Sequence, residues 1–428
     1  MAGQHRVVIL GGGFGGLSAA LTLKRAPVAV TLVDRCNYHL FQPLLYQVAT
    51  GALSPANIAS PLRHILKSQK NTRVLLGEAI GIDGKNRRVI LSDGAIDYDT
   101  LIVATGARHQ YFGHEEWEQF APGLKTVEDA TDMRRRILLA FEAAERERDP
   151  AKLRAWMTFV IVGAGATGAE LAGALAEISK DTLRRDFRTI DPSEARILLV
   201  EAGDRVLPAY PPQLSAAARK MLERLGVIVR TGALVTDIRE HSVTIRAGDR
   251  VEEIPTRTIL WAAGVLGSPL GRILSEEAGA PLDQLGRVIV EPDLTLPGHP
   301  EMFVIGDLAS FSHQTGQPLP GVAQPAIQAG RYAAKVIERR LRGEKAPPFR
   351  YMDKGNLATI GRAAAVADFS WLRLSGVPAW LIWIFVHLLY IVQFQNRLLV
   401  LLQWAFLYIT YGRSARLITG KNPLPLDL

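Results

Sequence analysis

The sequence predicts an α/β protein with two strand–helix–strand units, each built on a parallel sheet, and an apolar helical segment near the C-terminus. Three observations predict it. The chain opens with a β-branched run, a glycine cluster and a helix-forming stretch, "VVILGGGFGGLSAA". The same order returns in "MTFVIVGAGATGAELAGALAEI". Far downstream, "VPAWLIWIFVHLLYIVQF" (Val377 to Phe394) contains no full charge. At 428 residues the chain has room for two or three domains.

"RVVIL" (Arg6 to Leu10) reads as a buried parallel strand. Gly11, Gly13 and Gly16 follow as G-x-G-x-x-G, then "LSAALTLKR" at helical spacing. A second strand, "VAVTLVD", ends in Asp34. Each residue type has a physical job. Gly11 permits the tight turn, Gly13 lets a pyrophosphate approach the backbone, and Gly16 lets helix pack on strand. The helix N-terminus holds the phosphates, and Asp34 accepts from ribose hydroxyls. The unit is therefore Rossmann-like and binds a dinucleotide.

The second cluster repeats the logic. A strand ends at Val162; Gly163, Gly165 and Gly168 follow, and then a helix. The acid-ended strand is "ARILLVE", finishing at Glu201 after the long connection "SKDTLRRDFRTIDPSEA". Two such units, the second placed after "LIVATGA" (Leu101 to Ala107), point to a resident FAD and a visiting nicotinamide. A carboxylate at Glu201 repels a 2′-phosphate and so favours NADH, with Arg205 close enough to soften that preference.

"MFVIGDLAS" (Met302 to Ser310) is a strand ending at Gly306 and Asp307. In two-dinucleotide flavoproteins an Asp at this place holds the ribityl hydroxyls; the bland alternative is a helix cap. The following "QPAIQAGRYAAKVI" is a helix whose N-terminus suits negative charge on a reduced flavin.

Composition excludes several classes. One cysteine, Cys36, rules out a disulfide framework and a dithiol redox pair within the chain. Cys36 and His39 read as structural, because nothing pairs them for nucleophilic or metal chemistry. No metal ligand set is apparent. The net charge of +8 suits an anionic partner. Nucleic acid is the weakest choice, because the basic residues lack aromatic interleaving outside the apolar tail. No apolar signal core precedes the first strand, so the expected compartment is cytoplasmic.

Several strings together resemble one family, the type II NADH:quinone oxidoreductases. They are "HLFQPLLYQVATGAL" (His39 to Leu53), "ATGARHQYFGHEEWEQFAPGLKTVEDA" (Ala104 to Ala130), "GAGATGAELAGAL", "ILWAAGV" (Ile259 to Val265), "FVIGDLA", "AQPAIQAG" (Ala323 to Gly330) and "KGNLATIGRAAAVAD" (Lys354 to Asp368). The last two are the most diagnostic. The resemblance implies a glutathione-reductase-like pair of dinucleotide domains, FAD as prosthetic group, NADH as donor and a membrane quinone as acceptor.

It also implies site residues. Glu170, expected on the first turn of the second glycine helix, faces the flavin in this family. There it is tied to proton supply or to positioning of nicotinamide and quinone. Gln324 and Gln328, at i and i+4 on one helix face, match the A-Q-x-x-x-Q pattern of the quinone pocket. An amide donates to a quinone oxygen without titrating, and Pro325 between them is acceptable in a first turn. These three are the candidate catalytic residues. Leu357 is added for quinone. Phe14, Gly15, Thr105, Gly106, Gly306, Asp307 and Lys354 complete the FAD set with Gly11, Gly13, Gly16 and Asp34. Ala263 and Gly264 join Gly163, Gly165, Gly168 and Glu201 for NADH. One departure is "QFQNR" (Gln393 to Arg397), where the family often carries "GFRNR" and one more basic residue.

As one helix, Val377–Phe394 would reach about 27 Å, close to the roughly 30 Å hydrocarbon thickness; Leu398–Tyr411 reaches only about 21 Å. "QNR" would then be the turn of a hairpin. Trp380, Trp383, Tyr390, Trp404, Tyr408 and Tyr411 are scattered along both runs, which favours helices lying in the headgroup zone. Arg413, Arg416 and Lys421 are expected to meet anionic lipid. A homodimer interface is a further candidate cover for this apolar surface.

The expected organisation is an FAD domain of residues 1–115 and 288–345, an NADH domain of 116–287 and a membrane-anchoring region of 346–428. "DMRRRILLAFEAAERERD" (Asp132 to Asp149) reads as a connecting helix with its arginines on a solvated face. The expected protein is a peripheral enzyme on the cytoplasmic side of the inner membrane, passing hydride from NADH through FAD to quinone without pumping protons. The alternatives are a ferredoxin-type reductase and a flavin-bearing redox sensor.

Overall fold

The computed structural model describes residues 4–410 and 412–420. It divides into two compact units that interleave along the chain. The first comprises residues up to Leu40, Ala59–Arg108 and Val265–Lys354; the second comprises Phe41–Ile58, His109–Gly264 and the residues from Gly355 on.

The first unit is built on a six-stranded sheet. Its spatial order is Thr295–Leu296, His299–Val304, Thr100–Val103, His5–Leu10, Val28–Asp34 and Thr72–Leu76. All pairings are parallel except the first. The central strands are near-continuous β-branched and leucine runs because both faces are covered; Val7, Ile9, Leu32 and Ile102 are fully buried. Register fixes Ile9 opposite Leu32 on one side and Ile102 on the other. The helices Phe14–Thr22 and Ala323–Leu341 pack closely, because a side chain on Gly330 would stand 2.1 Å from the Gly15 carbonyl oxygen. A three-stranded antiparallel meander, Ala79–Asp83, Arg88–Leu91 and Gly94–Asp97, completes this unit.

The second unit has a four-stranded parallel sheet ordered Val227–Arg230, Arg196–Val200, Thr158–Val162 and Thr258–Trp261. Trp261, Trp117 and Tyr111 join Val160 and Leu198 in its core. The helix Val127–Arg146 begins at a capping box in which Thr126 and Asp129 satisfy each other's backbone N–H groups. Its arginines are not all solvated. Arg135 and Arg136 pair with Asp132, whereas Arg134 is buried and burial holds its guanidinium pKa below the usual value.

The same unit carries two three-stranded sheets, one of Leu234–Arg239, Ser242–Ala247 and Arg250–Pro255 and one of Asn356–Gly361, Ala364–Asp368 and Arg373–Ser375, and the two apolar helices. These are Val377–Tyr390 and Phe394–Thr410, of 14 and 17 residues. The first helix therefore stops short of the expected Phe394, and "QNR" lies inside the second helix rather than in a turn. The break is Ile391–Gln393, and Arg397 donates from Nε to the Ile391 carbonyl, 2.7 Å away. At about 21 and 25 Å both helices fall short of a bilayer core, and among the described residues no helix is long and apolar enough to cross a membrane.

Candidate dinucleotide and quinone sites

Each glycine cluster makes the same local structure in its own unit. Gly11 and Gly163 have φ of 100° and 96°, in the region that favours glycine. Any side chain on Gly16 would stand 1.9 Å from the Gly11 carbonyl oxygen, and any on Gly168 would stand 1.8 Å from that of Gly163. These glycines let the helix start directly on the end of the strand. Gly13 and Gly165 are the N-cap residues of helices Phe14–Thr22 and Ala166–Glu177; no side chain caps either helix, and nothing lies within 4 Å of where their Cβ atoms would be. Each helix thus starts without a side-chain cap, with its positive dipole end beside open space at the N-cap glycine, which is what a pyrophosphate requires.

The acid at the end of the second strand also behaves identically. Asp34 accepts from the backbone N–H groups of Gly12 and of Cys36, the latter at 2.6 Å. Glu201 accepts from Ala164 N–H at 2.7 Å and Gly203 N–H at 2.8 Å. In both units the carboxylate is held against the glycine turn, in place for a ribose. Burial raises the Asp34 pKa, and the two N–H donors act against that rise.

The remaining FAD candidates lie in the first unit. Phe14 stands edge-on to the buried His39 ring, 5.1 Å between centroids, and His39 bonds through Nδ1 to the Gly12 carbonyl at 2.9 Å. Gly15 faces the Ile305 side chain. Thr105 shares a 2.5 Å hydrogen bond with Ser268, while Gly106 takes φ of 70° and accepts from Ser268 N–H. Gly306, φ 73°, opens a single 3₁₀ turn that presents Asp307 toward Gly321. This set fits a dinucleotide such as FAD: glycines at 11 and 16 that leave no room for a Cβ, a helix N-terminus without a side-chain cap, and the Asp34 carboxylate held against the turn.

Gln324 and Gln328 sit on the helix Ala323–Leu341, both half-buried. Gln328 is already committed in part. Its amide donates to the Met352 carbonyl at 2.9 Å and accepts from Met352 N–H at 3.0 Å. Gln314, which sequence reasoning passed over, does the same to Tyr351 at 3.0 and 2.9 Å. Together the two glutamines fix the strap that ends at the exposed Lys354.

In the second unit, Glu170 is the fifth residue of the helix Ala166–Glu177, so it lies in the second turn and not the first. It is buried and accepts from Thr359 N–H at 3.4 Å. Burial pushes its pKa up to about 8, against the pull of that N–H. The helix meets the strand Asn356–Gly361, which carries Leu357, at Gly173, where a side chain would stand 1.6 Å from the Ile360 carbonyl oxygen. Ala263 and Gly264 follow the strand Thr258–Trp261, and a Cβ on Gly264 would strike the Phe112 ring at 2.7 Å.

The apolar tail corrects two expectations. Trp383 and Trp404 are fully buried and lie 5.3 Å apart, so they are core residues and not interfacial ones. Arg413 does not face lipid: it is buried in a 3.0 Å ion pair with Glu177 and donates to the Thr50 carbonyl at 3.1 Å. Arg416 pairs with Asp186. Tyr411 and Lys421 lie outside the described residues. The apolar residues that the tail exposes include two stripes at i, i+4 spacing, Val377, Leu381, Phe385, Leu389 and Phe394, Leu398, Leu402, Phe406.

Comparison with known proteins agrees with this geometry. A profile of the pyridine nucleotide-disulphide oxidoreductases matches residues 5–330, and one of the NDH2 C-terminal domain matches residues 354–414. The type II NADH:quinone oxidoreductase NdhA of Mycobacterium tuberculosis is 48% identical over 431 residues, covering 98% of this chain and 91% of its own length. The type II NADH:quinone oxidoreductase Ndh of the same organism is 44% identical over 427 residues, with coverage of 98% and 91%. The fold matches that of NDH2 from Plasmodium falciparum in complex with NADH, with a TM-score of 0.87 at 20% identity, covering 96% of this chain and 99% of the other.

Proposed function

The chain belongs to the type II NADH:quinone oxidoreductases, and from that premise we infer that it oxidises NADH and reduces a membrane quinone to the quinol, without pumping protons, as a peripheral membrane enzyme. The observation that carries this reading is the presence in one chain of two open dinucleotide cradles and two apolar-faced helices too short to span a bilayer. Bound FAD supplies the two-electron relay between a water-soluble donor and a lipid-soluble acceptor.

The residues take the following parts. Gly11, Gly13, Phe14, Gly15, Gly16, Asp34, Thr105, Gly106, Gly306, Asp307 and Lys354 bind FAD. Gly163, Gly165, Gly168, Glu201, Ala263 and Gly264 bind NADH. Gln324, Gln328 and Leu357 receive the quinone headgroup; Gln328 keeps one amide N–H for it while holding Met352. Glu170 holds a proton for the quinone oxygen, a role its raised pKa supports. In domain terms we assign residues 1–115 and 288–345 to FAD, 116–287 to NADH and 346–428 to membrane attachment; the compact units differ in placing 41–58 and 109–115 in the second and 265–287 in the first.

The exposed leucine and phenylalanine stripes lie in the acyl boundary of the bilayer. The net charge of +8 supports an anionic leaflet, and NADH as donor supports the cytoplasmic face of the inner membrane. A second copy of the chain is the other possible cover for the stripes, and the particle mass in detergent separates the two.

Steady-state oxidation of NADH by the purified protein with a short-chain quinone tests the function. Turnover with quinone and none with ferredoxin is expected. Turnover with ferredoxin alone would establish the ferredoxin-type reductase, and turnover with neither would leave a flavin-bearing sensor.

A further inference from the structure

The helix Ala166–Glu177 carries a stripe of three residues, Glu170, Gly173 and Glu177, at i, i+3 and i+7. The strand Asn356–Gly361 lies along that stripe. At one end Thr359 N–H reaches Glu170 at 3.4 Å; at the centre the Ile360 carbonyl fills the space that Gly173 leaves. At the other end Arg362 N–H donates to Glu177 Oε1 at 2.6 Å. The second Glu177 oxygen accepts from Arg413 Nη2 at 3.0 Å. Arg413 lies three residues beyond the helix Phe394–Thr410. Its other guanidinium nitrogen donates to the Thr50 carbonyl at 3.1 Å, and Ala415 N–H donates to the Gly51 carbonyl at 3.2 Å.

We propose that Arg413, acting through Glu177, is a positioning residue for quinone reduction: the buried pair sets the register of the strand whose Thr359 N–H meets Glu170. The short bond at Arg362 is the firm end of this arrangement, and the bond at Thr359 is the long one. A shift of the strand at the Glu177 end is therefore felt at Glu170. Arg413 also works against the burial of Glu177. Burial pushes the Glu177 carboxyl pKa up; the adjacent Arg413 guanidinium and Arg362 lower it, whereas Asp181 raises it. Removing one partner of a buried pair leaves the other charge uncompensated, whereas replacing both is far less disruptive.

This inference rests on Glu170 serving the quinone step, so one experiment covers both. The full chain in detergent with lipid is reduced by NADH and then mixed with a short-chain quinone, each half-reaction being followed by flavin absorbance. For Arg413→Gln and for the double variant Glu177→Gln/Arg413→Met, reduction by NADH is expected to stay within about twofold of wild type. Reoxidation by quinone is expected to slow by about tenfold or more. Arg413→Lys, which keeps the charge, is expected to recover most of that loss. Glu170→Gln is the control for the underlying reading. If Glu170→Gln slows reoxidation and the double variant reoxidises at the wild-type rate, the positioning role is wrong while the role of Glu170 stands. If Glu170→Gln leaves reoxidation unchanged, both fall. An equal loss in the two half-reactions, without recovery by Arg413→Lys, would reduce the pair to a general structural contact and overturn the proposal.

Discussion

Trp404 donates its indole N–H to the Gln47 side-chain oxygen at 2.7 Å, joining residues 357 positions apart. Gln47 in turn donates to the Tyr46 hydroxyl at 2.9 Å. The second apolar helix is therefore fastened to the body of its unit by a buried polar bond as well as by packing. Gln47→Leu leaves the indole N–H buried without a partner and is expected to cost about 1–3 kcal/mol. Denaturant unfolding followed by tryptophan fluorescence measures it; an unchanged midpoint would show that the bond contributes nothing.

The outward stripes make the opposite prediction. Leu381→Asp with Phe385→Asp places two charges on the exposed face without touching Trp383 or Ala379, which face inward. The doubly substituted protein is expected to leave the membrane in a high-salt wash that leaves wild type bound, with its flavin retained. Flotation with lipid vesicles reads this directly. Continued tight binding would move the membrane contact elsewhere.

Gly173 predicts a packing defect. Gly173→Ala drives a methyl group against the Ile360 carbonyl, at 1.6 Å before any relaxation. The strand must move, at a cost of about 1–3 kcal/mol or more. A lowered thermal midpoint, together with slower turnover because Thr359 moves with the strand, is expected. A melting curve like that of wild type would mean the helix and strand separate freely there.

Glu170 gives a pH signature. Its folded pKa is raised from 4.5 to about 8, so the folded protein binds the extra proton and the unfolded chain does not. The stability this group contributes is complete below about pH 4.5 and is lost as pH rises through about 8. Glu170→Gln removes that slope. Its stability advantage over wild type should grow from the acid to the alkaline end of the window, while its turnover falls by roughly 10- to 100-fold. Parallel pH–stability curves for the two proteins would contradict the burial assigned to this carboxyl.

Glu201, proposed to meet the NADH ribose, is expected to set cofactor choice. Glu201→Ser removes the carboxylate from the ribose end of the second cradle and frees Ala164 and Gly203 N–H groups that could meet a phosphate. The ratio of kcat/KM for NADH to that for NADPH is expected to fall by about tenfold or more. An unchanged ratio would place the specificity on another residue, with Arg205 the first candidate.

The cradles were legible in the sequence because their physics is local. A glycine that must take positive φ, another that must admit a carbonyl, and an acid at the end of the next strand all fall within a short window. Gly11, Gly16 and Asp34 are found where the motif puts them, as are Gly163, Gly168 and Glu201. The tail was harder. Trp383 and Trp404 look like interfacial aromatics, yet both are core residues. Their burial depends on partners such as Gln47, which belongs to an early segment of the chain. Arg413 carries the composition of a lipid-facing residue and is claimed instead by Glu177, far upstream. No periodicity within the tail separates its inward stripe from its outward one, because both are apolar. The two-way bonds of Gln314 and Gln328 to Tyr351 and Met352 leave no trace in spacing either. The one available hint for Glu177 was its place seven residues after Glu170, on the same helix face.

Anaerobic stopped-flow absorbance of the flavin reads the passage of electrons from NADH to a membrane quinone through one chain. Rapid bleaching is expected on mixing with NADH and rapid recovery when the reduced protein meets a short-chain quinone, with no recovery on mixing with ferredoxin. Bleaching by NADH with recovery by ferredoxin and not by quinone would contradict the assignment to quinone.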